Sequence, residues 1–187
     1  MSAPFVVGIG GTTRANSSSE KVVAAVLAAA AARGATTQLF GGEALAALPH
    51  FAPENPARTP EQIAFVDAVR RADGVVIGTP GYHGGVSGLV KNAIDLLEDL
   101  RADERVYFDG RAVGCVVTAA GWQACGVTLQ ALRGIVHAMR GWPTPLGVIV
   151  NSAAGPVFDA EGQCIDKALD EQFDMLAGQV LHFAPAA

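Results

Sequence analysis

The residues TPGYHGGVSGLVKNAID, Thr79 to Asp95, carry the clearest structural signal in this chain. They follow the apolar run Val75-Val76-Ile77, include glycines at positions 81, 84, 85 and 88, and end with the apolar spacing of a helix. A buried strand that passes through a glycine-rich loop directly into a helix is typical of folds in which strands and helices alternate. Glycines at the end of such a strand also let the backbone approach a flat ligand closely.

The rest of the chain repeats this alternation of strand and helix. Four segments are short, apolar and β-branched without alternation, as expected for strands buried on both faces of a parallel sheet: 5–10, 74–79, 111–119 and 146–151. Residues 36–40 form a weaker fifth candidate. Helical spacing of apolar residues covers 22–30, 63–69, 89–100 and 129–139, and a final helix is predicted over Asp166 to about Phe183. The pattern predicts an α/β domain with a doubly wound sheet.

Capping signals mark several of these boundaries. Thr59-Pro60-Glu61-Gln62 places a cap, a first-turn proline and a capping-box glutamine in order, and Gly34 follows Arg33 as a helix stop. The segment from Gly41 to Arg58 contains three prolines, has no periodicity and is too long for an ordinary connection. We interpret it either as a surface excursion or as an edge of the active site.

Length, charge and cysteine content exclude several classes of protein. The 187 residues fit a single domain, 1–187, that can bury about 70% of its unfolded surface. A net charge of −5 without a lysine- or arginine-rich patch argues against nucleic-acid binding. No apolar run approaches the roughly 20 residues that cross a bilayer, and no signal sequence is seen, so we predict a cytoplasmic protein without a membrane partner. The wide spacing of Cys115, Cys125 and Cys164 favours neither disulfides nor a metal site. We expect a small-molecule partner.

The loop after the first strand, GIGGTTRANSSSEKV (Gly8 to Val22), fits neither of two common nucleotide motifs. A dinucleotide fingerprint requires glycine where Thr13 stands, and the second strand ends in Leu39-Phe40 without an acid for a ribose. A P-loop requires a G-K-[ST] sequence that is absent. Ligands of doubly wound sheets nevertheless bind at the carboxyl ends of the strands, where this loop and the loops after strands three and four should meet.

What remains in this loop predicts a cradle for a phosphate monoester. Arg14, the hydroxyls of residues 17–19 and the N–H groups at the start of a helix would converge on one point. A dianion of charge about −2 would meet +1 from Arg14 and about +0.5 from the helix dipole, with neutral donors supplying the rest. The alternative is that the serines only cap the helix.

The other two loops offer groups for a ring system. In the second loop Pro80 stiffens the exit from the strand, and Tyr82 and His83 could flank a flat ligand or be structural. The third loop, TAAGWQACGVT from Thr118 to Thr128, is again glycine-rich, and its Trp122 could cover a ligand or pack at an oligomer contact. Cys125 has no basic neighbour in sequence to lower its pKa, which disfavours a redox thiol.

Two motifs in these loops resemble those of the NADPH-dependent FMN reductase family of flavodoxin-like proteins. The family's G-S-x-R-x-x-S is similar to residues 11–17, with threonine at position 12 in place of serine. Its P-x-Y-x-x-x-x-x-G-x-x-K-N-x-x-D is similar to residues 80–95. The resemblance implies a flavodoxin-like, five-stranded parallel sheet of order 2-1-3-4-5 with helices on both faces.

The resemblance also implies a cofactor and site residues. FMN would be the cofactor and NADPH or NADH the co-substrate. The residues implied for FMN are Thr12, Arg14, Ser17 and Ser19 at the phosphate, Pro80, Tyr82, His83, Gly84 and Gly85 along the isoalloxazine, and Thr118, Gly121 and Trp122 on the other side. Hydride would pass from the nicotinamide to the flavin, and electrons on to free flavin, a quinone or another small acceptor. Because the cofactor carries this chemistry, no catalytic acid or base is predicted.

Two other functions stay open at this point. One is a flavodoxin-like electron carrier without a nicotinamide site, although such carriers are usually more acidic than −5. The other is a flavin-free interaction module on the same fold.

We also predict a homodimer or tetramer. The segment 41–58 and the third predicted helix, 89–100, are the candidate interface. The stretch GVTLQALRGIVHAM resembles the alkanesulfonate-type reductases that supply flavin-dependent monooxygenases. Arg133, His137 and Arg140 lie along one face of this predicted helix. That face is interpreted as solvated, as an oligomer contact or as a site for the 2′-phosphate of NADPH.

Overall fold

Five long parallel strands form the central sheet of the computed structural model, which describes residues 3–184. A short sixth strand pairs antiparallel with the third. In chain order the strands are β1 (Phe5–Gly10), β2 (Thr36–Phe40), β3 (Gly74–Tyr82), β4 (Gly85–Val86), β5 (Ala112–Ala119) and β6 (Trp142–Asn151). The long strands follow the order β2-β1-β3-β5-β6. Counting only these five confirms the predicted order 2-1-3-4-5.

Helices cover both faces of the sheet, as predicted. They are α1 (Ser18–Ala32), α2 (Gly42–Ala46), α3 (Pro60–Arg71), α4 (Gly88–Leu96), α5 (Trp122–Ala138) and α6 (Lys167–Val180), with short 3-10 helices at Leu97–Leu100 and Leu181–Phe183. One apolar core buries α1 and α6 against the sheet, and the other buries α3, α4 and α5 against the opposite face. The inner strands β1, β3 and β5 are therefore largely buried on both sides, which explains their apolar sequences.

The predicted helix boundaries have the expected hydrogen bonds. Thr59 and Gln62 form a capping box at the start of α3, with both reciprocal bonds present. The N–H of Val90 donates to Ser87 Oγ at 3.3 Å, which caps α4. Gly34 takes a φ of +91° after α1, a conformation that suits glycine. No helix within the described residues is long and apolar enough to cross a membrane.

Four elements differ from the sequence prediction. α5 begins at Trp122, so residues 122–128 of the predicted third loop belong to this helix. β3 continues from Thr79 to Tyr82 because its end pairs with β4. The five-residue helix α2 lies in the segment that lacked periodicity. β6 begins at Trp142 and not at Leu146, and so includes Pro143 and Pro145, which an edge strand tolerates.

The exposed edge of β6 is closed by side chains from two helices. Arg133 Nη2 donates to the carbonyl oxygens of Thr144 and Pro145 at 3.0 and 2.7 Å. The N–H of Leu146 donates to Gln179 Oε1 at 2.9 Å. With prolines at two further positions, the first half of this edge has few free backbone donors.

The segment 41–58 packs against α4. Asn92 Oδ1 accepts from the N–H of Phe51 at 2.8 Å, and Asn92 Nδ2 donates to the carbonyl of Pro49 at 3.2 Å. Arg58 binds Asp99 through two bonds of 2.8 and 2.9 Å. The asparagine of the predicted K-N motif is thus structural. The single-domain prediction over 1–187 stays a prediction, because its first two and last three residues lie outside the described range.

Arg111 is a charged side chain with no solvent exposure, directly before β5. Its guanidinium donates to the carbonyl of Ala72 at 2.8 Å, to that of Arg70 at 2.7 Å, and to that of Tyr107. Burial lowers the pKa of Arg111 to about 10, because desolvation disfavours the charged form. The group therefore stays charged at neutral pH and joins residues 70–72 to the segment 107–111, at the end of the sheet remote from the predicted ligand edge.

Candidate functional site

The loops after β1, β3 and β5 meet in a cleft at the carboxyl ends of the strands. The cleft has a volume of about 270 Å³ and lies where the strand order reverses, the expected ligand position in this architecture. Seven predicted residues line it, namely Thr12, Arg14, Ser17, Ser19, Pro80, Tyr82 and Thr118. Ser18, Gly81, Ala119, Ala120 and Ser152 complete the lining.

The start of α1 forms one end of the cleft. Ser17 caps the helix, and its Oγ accepts from the N–H of Glu20 at the long distance of 3.4 Å. The hydroxyls of Ser17 and Ser19 are also 3.4 Å apart, and both residues are almost completely buried. The N–H groups of Ser18 and Ser19 donate to no acceptor in the part of the chain described here. Capping therefore leaves hydroxyl and N–H capacity for an anion at the positive end of the helix dipole.

Arg14 supplies the cation at this end. Its N–H donates to Thr12 Oγ1 at 3.1 Å, which fixes the loop between the two residues. The Arg14 side chain is exposed and forms no ion pair within residues 3–184. Its guanidinium is thus available to a phosphate.

The helix α2 holds this loop from behind. The N–H of Gly42 donates to Glu20 Oε2 at 2.8 Å. A Cβ at Gly42 would lie 1.8 Å from the carbonyl oxygen of Thr12. Any side chain would collide at this distance, so the position requires glycine. Of the two interpretations of segment 41–58, its beginning therefore fits an edge of the site.

The glycine-rich loop after β3 is a two-residue hairpin. His83 and Gly84 have φ values of +52° and +79°, as a type I′ turn between β3 and β4 requires. A Cβ at Gly81 would lie 2.8 Å from Thr128 Oγ1, so packing excludes a side chain there. At Gly85 the nearest atom to such a Cβ is 3.9 Å away. The turn and the packing explain two of the glycines without a ligand, but neither explains Gly85.

The remaining predicted residues lie outside the cleft lining: His83, Gly84, Gly85, Gly121 and Trp122. Tyr82 and Trp122 are 56% and 60% exposed, and Val127, 52% exposed, lies beside the hairpin. The N–H of Gly121 donates to Asn151 Oδ1 at 2.8 Å, which fixes the third loop. Asn151 and Ser152 were not predicted, although a polar pair directly after an apolar strand could have indicated them.

Other candidate groups have structural roles. Cys125 is buried with its thiol 3.5 Å from the carbonyl of Val150, and burial raises its pKa, which agrees with an unreactive thiol. Lys91 pairs with Asp95 at 2.6 Å. Arg133 is engaged with β6, so it does not share a free cationic face with His137 and Arg140. No metal-binding cluster of His, Cys, Asp or Glu occurs among residues 3–184.

Comparison with known proteins identifies the family. The family model of NADPH-dependent FMN reductases matches residues 4–155. The chain belongs to this family. The FMN-dependent NADPH-azoreductase of Staphylococcus haemolyticus is 31% identical to this reductase-family chain over 113 residues, which cover 60% of the chain and 55% of that relative. The chain thus spans about half the length of the curated relatives that it matches.

Solved structures show the same fold as this member of the FMN reductase family. An oxidoreductase from Corynebacterium diphtheriae aligns with a TM-score of 0.73 and 21% identity over 98% of both chains. The flavoenzyme NAD(P)H:(acceptor) oxidoreductase FerB from Paracoccus denitrificans aligns with a TM-score of 0.73 and 20% identity, over 98% of this chain and all of its own. FMN is the cofactor of the family and NADPH its co-substrate, and the hydroxyls, N–H groups and cation at the start of α1 fit an FMN phosphate.

Proposed function

We propose that this protein is an NAD(P)H-dependent FMN reductase. The observation that carries the proposal is the meeting, in one cleft, of an anion cradle at the start of α1 and the end of β3 from Pro80 to Tyr82. When bound, FMN supplies the chemistry by accepting hydride from the nicotinamide and passing electrons to an acceptor. The chain supplies binding and orientation, and no residue needs to titrate.

Each part of the cleft has its own task. Ser17 and Ser19 donate hydroxyl hydrogen bonds to the phosphate, and Arg14 adds charge. Pro80 to Tyr82 and Thr118 to Ala120 border the flavin ring on two sides. The exposed rings of Tyr82 and Trp122 shield it from water.

An anaerobic titration tests this function. FMN-loaded protein should lose its flavin absorbance band on addition of NADPH or NADH, and the more effective nicotinamide is the co-substrate. A protein that binds FMN but is bleached by neither nicotinamide would be an electron carrier. A protein that binds no FMN would be a flavin-free module.

Arg14→Ala should weaken FMN binding by about 1.5–3 kcal/mol, the contribution of a charge-assisted hydrogen bond to phosphate. Riboflavin lacks the phosphate and should bind almost as before. Both dissociation constants can be measured by quenching of flavin fluorescence. Equal losses for the two flavins would show that Arg14 does not contact the phosphate.

Gly85→Val should lower FMN affinity at least about tenfold, or about 1.4 kcal/mol, because the new side chain obstructs the ring. The apoprotein should melt within a few degrees of the wild type, since a Cβ at Gly85 has no neighbour closer than 3.9 Å and β4 favours valine.

Gly134→Val on α5 is the matched control, because a Cβ there meets no atom within 4 Å and the position is remote from the cleft. Gly42 cannot serve as this control, because a side chain at Gly42 collides with Thr12. Unchanged FMN affinity in Gly85→Val, with the control also unchanged, would assign Gly85 to the hairpin alone.

The oligomer that we propose is a homodimer or tetramer. Its supporting observation is an apolar groove of about 390 Å³ between α4 and α5, bordered by Phe51 and Tyr107, on the surface formed by segment 41–58 and α4. Light scattering at micromolar concentration should give a multiple of 19.2 kDa. A fully active 19.2 kDa species would contradict the assembly.

The final acceptor and the cellular setting are also proposals. Free flavin, quinones and the azo compounds named for the staphylococcal relative are the acceptors to compare under steady-state conditions. Reduced FMN released by a cytoplasmic enzyme could supply a flavin-dependent monooxygenase. Product inhibition by FMN would support release, whereas retention of FMN through gel filtration during turnover would identify a prosthetic group.

A further inference from the structure

A second cavity opens beside the anion cradle. It has a volume of about 440 Å³, within the range of small-molecule sites, and lies between the first turn of α1 and residues 152–158 after β6. Ser18 and Ser152 line both this cavity and the cleft. The two spaces therefore adjoin at the cradle, and a ligand held there could extend from one into the other.

The second cavity contains a cation, an aromatic ring and polar groups. Lys21 Nζ lies 5.9 Å from the centre of the Phe158 ring, and Lys21 forms no ion pair in the described part of the chain. Phe158 stacks on buried Phe173, with ring centres 6.3 Å apart, which fixes its orientation. Asn16 contributes an amide to the same lining.

We propose that this cavity receives the adenylate half of FAD, so that the protein binds FAD as well as FMN. The inference rests on the proposed function, because it requires the flavin phosphate at the start of α1. FAD continues from that phosphate through a second, singly charged phosphate to an adenosine. Lys21 suits this phosphate, and its movement there from above the Phe158 ring would uncover that ring for the adenine.

The adenylate of NADPH fits this position less well. The nicotinamide must reach the flavin ring near Pro80 to Tyr82, whereas the second cavity lies beyond the phosphate cradle. An NADPH molecule spanning both points would have to pass the occupied cradle. FAD reaches the second cavity through the cradle itself.

Flavin fluorescence titrations with FAD and FMN test the proposal in the wild type and in Ala153→Trp, which fills the second cavity from its lining. The wild type should bind FAD within tenfold of FMN. In Ala153→Trp the ratio of the FAD to the FMN dissociation constant should rise more than fivefold. Ala160→Trp, exposed in the same segment but outside the lining, is the matched control and should leave the ratio unchanged.

Lys21→Gln provides a second variant in case the tryptophan disturbs folding. It should also raise the ratio of the FAD to the FMN dissociation constant more than fivefold. Lys167→Gln, at an exposed lysine, is its control. FAD binding more than tenfold weaker than FMN in the wild type overturns the proposal, as does a smaller rise in the ratio in the folded variants. A rise only in the KM for NADPH would assign the cavity to the co-substrate and overturn it too. Loss of FMN binding itself would instead contradict the proposed reductase function.

Discussion

Arg111→Leu should lower the free energy of unfolding by about 3–4 kcal/mol, although Arg111 is remote from the cleft. Leucine fills much of the space but removes the guanidinium donor from the carbonyls of Arg70 and Tyr107, and it leaves the carbonyl of Ala72 with a long bond of 3.4 Å from Arg105. Each buried carbonyl that loses its partner costs about 1 kcal/mol or more, and the gain from no longer burying a charge offsets only part of the sum. Urea denaturation followed by circular dichroism measures the change.

Arg101→Leu is the control for this substitution. Arg101 is 75% exposed and lies 3.5 Å from Glu98, so its loss should leave the denaturation midpoint almost unchanged. FMN affinity measured at low temperature should stay near the wild-type value in folded Arg111→Leu. A stability change below about 1 kcal/mol would mean that water replaces the guanidinium at the three carbonyls.

Gly42→Val should weaken FMN binding at least about a hundredfold, or about 2.7 kcal/mol. The Cβ would lie 1.8 Å from the carbonyl oxygen of Thr12, and both atoms belong to backbone regions that cannot rotate away. The loop that carries Arg14 must therefore shift, and α2 must move from Glu20. Fluorescence titrations with FMN and with riboflavin measure the effect.

The comparison of the two flavins separates cradle damage from unfolding. A displaced cradle should cost FMN more affinity than riboflavin, whereas general unfolding would affect both alike. Gly134→Val again serves as the matched substitution without a steric conflict. Wild-type FMN affinity in Gly42→Val would show that the loop after β1 tolerates displacement and does not depend on α2.

The sequence was sufficient for elements that depend on local patterns. β1 was predicted at its observed bounds, because burial on both faces leaves an unbroken apolar run. β2 was also predicted at its observed bounds, although its first three residues are exposed and polar. The Thr59 capping box located the start of α3 for the same local reason. β3 was predicted too short, because its extension to Tyr82 depends on pairing with β4, which the composition around Pro80 and Gly81 conceals.

The start of β6 shows the limit of residue preferences. Pro143 and Pro145 indicate an interruption, since proline cannot donate to a strand ladder. Both are accommodated because β6 lies at the edge of the sheet. The position of a strand within a sheet is set by the whole topology and cannot be deduced from the four residues concerned.

The sequence predicted part of the site and missed another part. The order of the parallel strands allowed three loops to be brought together, and residues of all three, including Thr12, Pro80 and Thr118, do line one cleft. The support of the loop by Gly42 was missed, because contact with Thr12 joins segments 30 residues apart that no local pattern connects. Gly84 was assigned to ligand access, whereas its φ of +79° shows that the hairpin turn requires it.

The closed edge of β6 affects how copies of the chain can aggregate. Fibrils grow when strands of successive molecules add to an open ladder of backbone donors and acceptors. Pro143 and Pro145 have no N–H, and the N–H of Leu146 already donates to Gln179. An incoming strand would therefore find almost no ladder along the first half of β6, which leaves the second half of β6 and β2, at the opposite edge of the sheet, as places where fibril growth could begin.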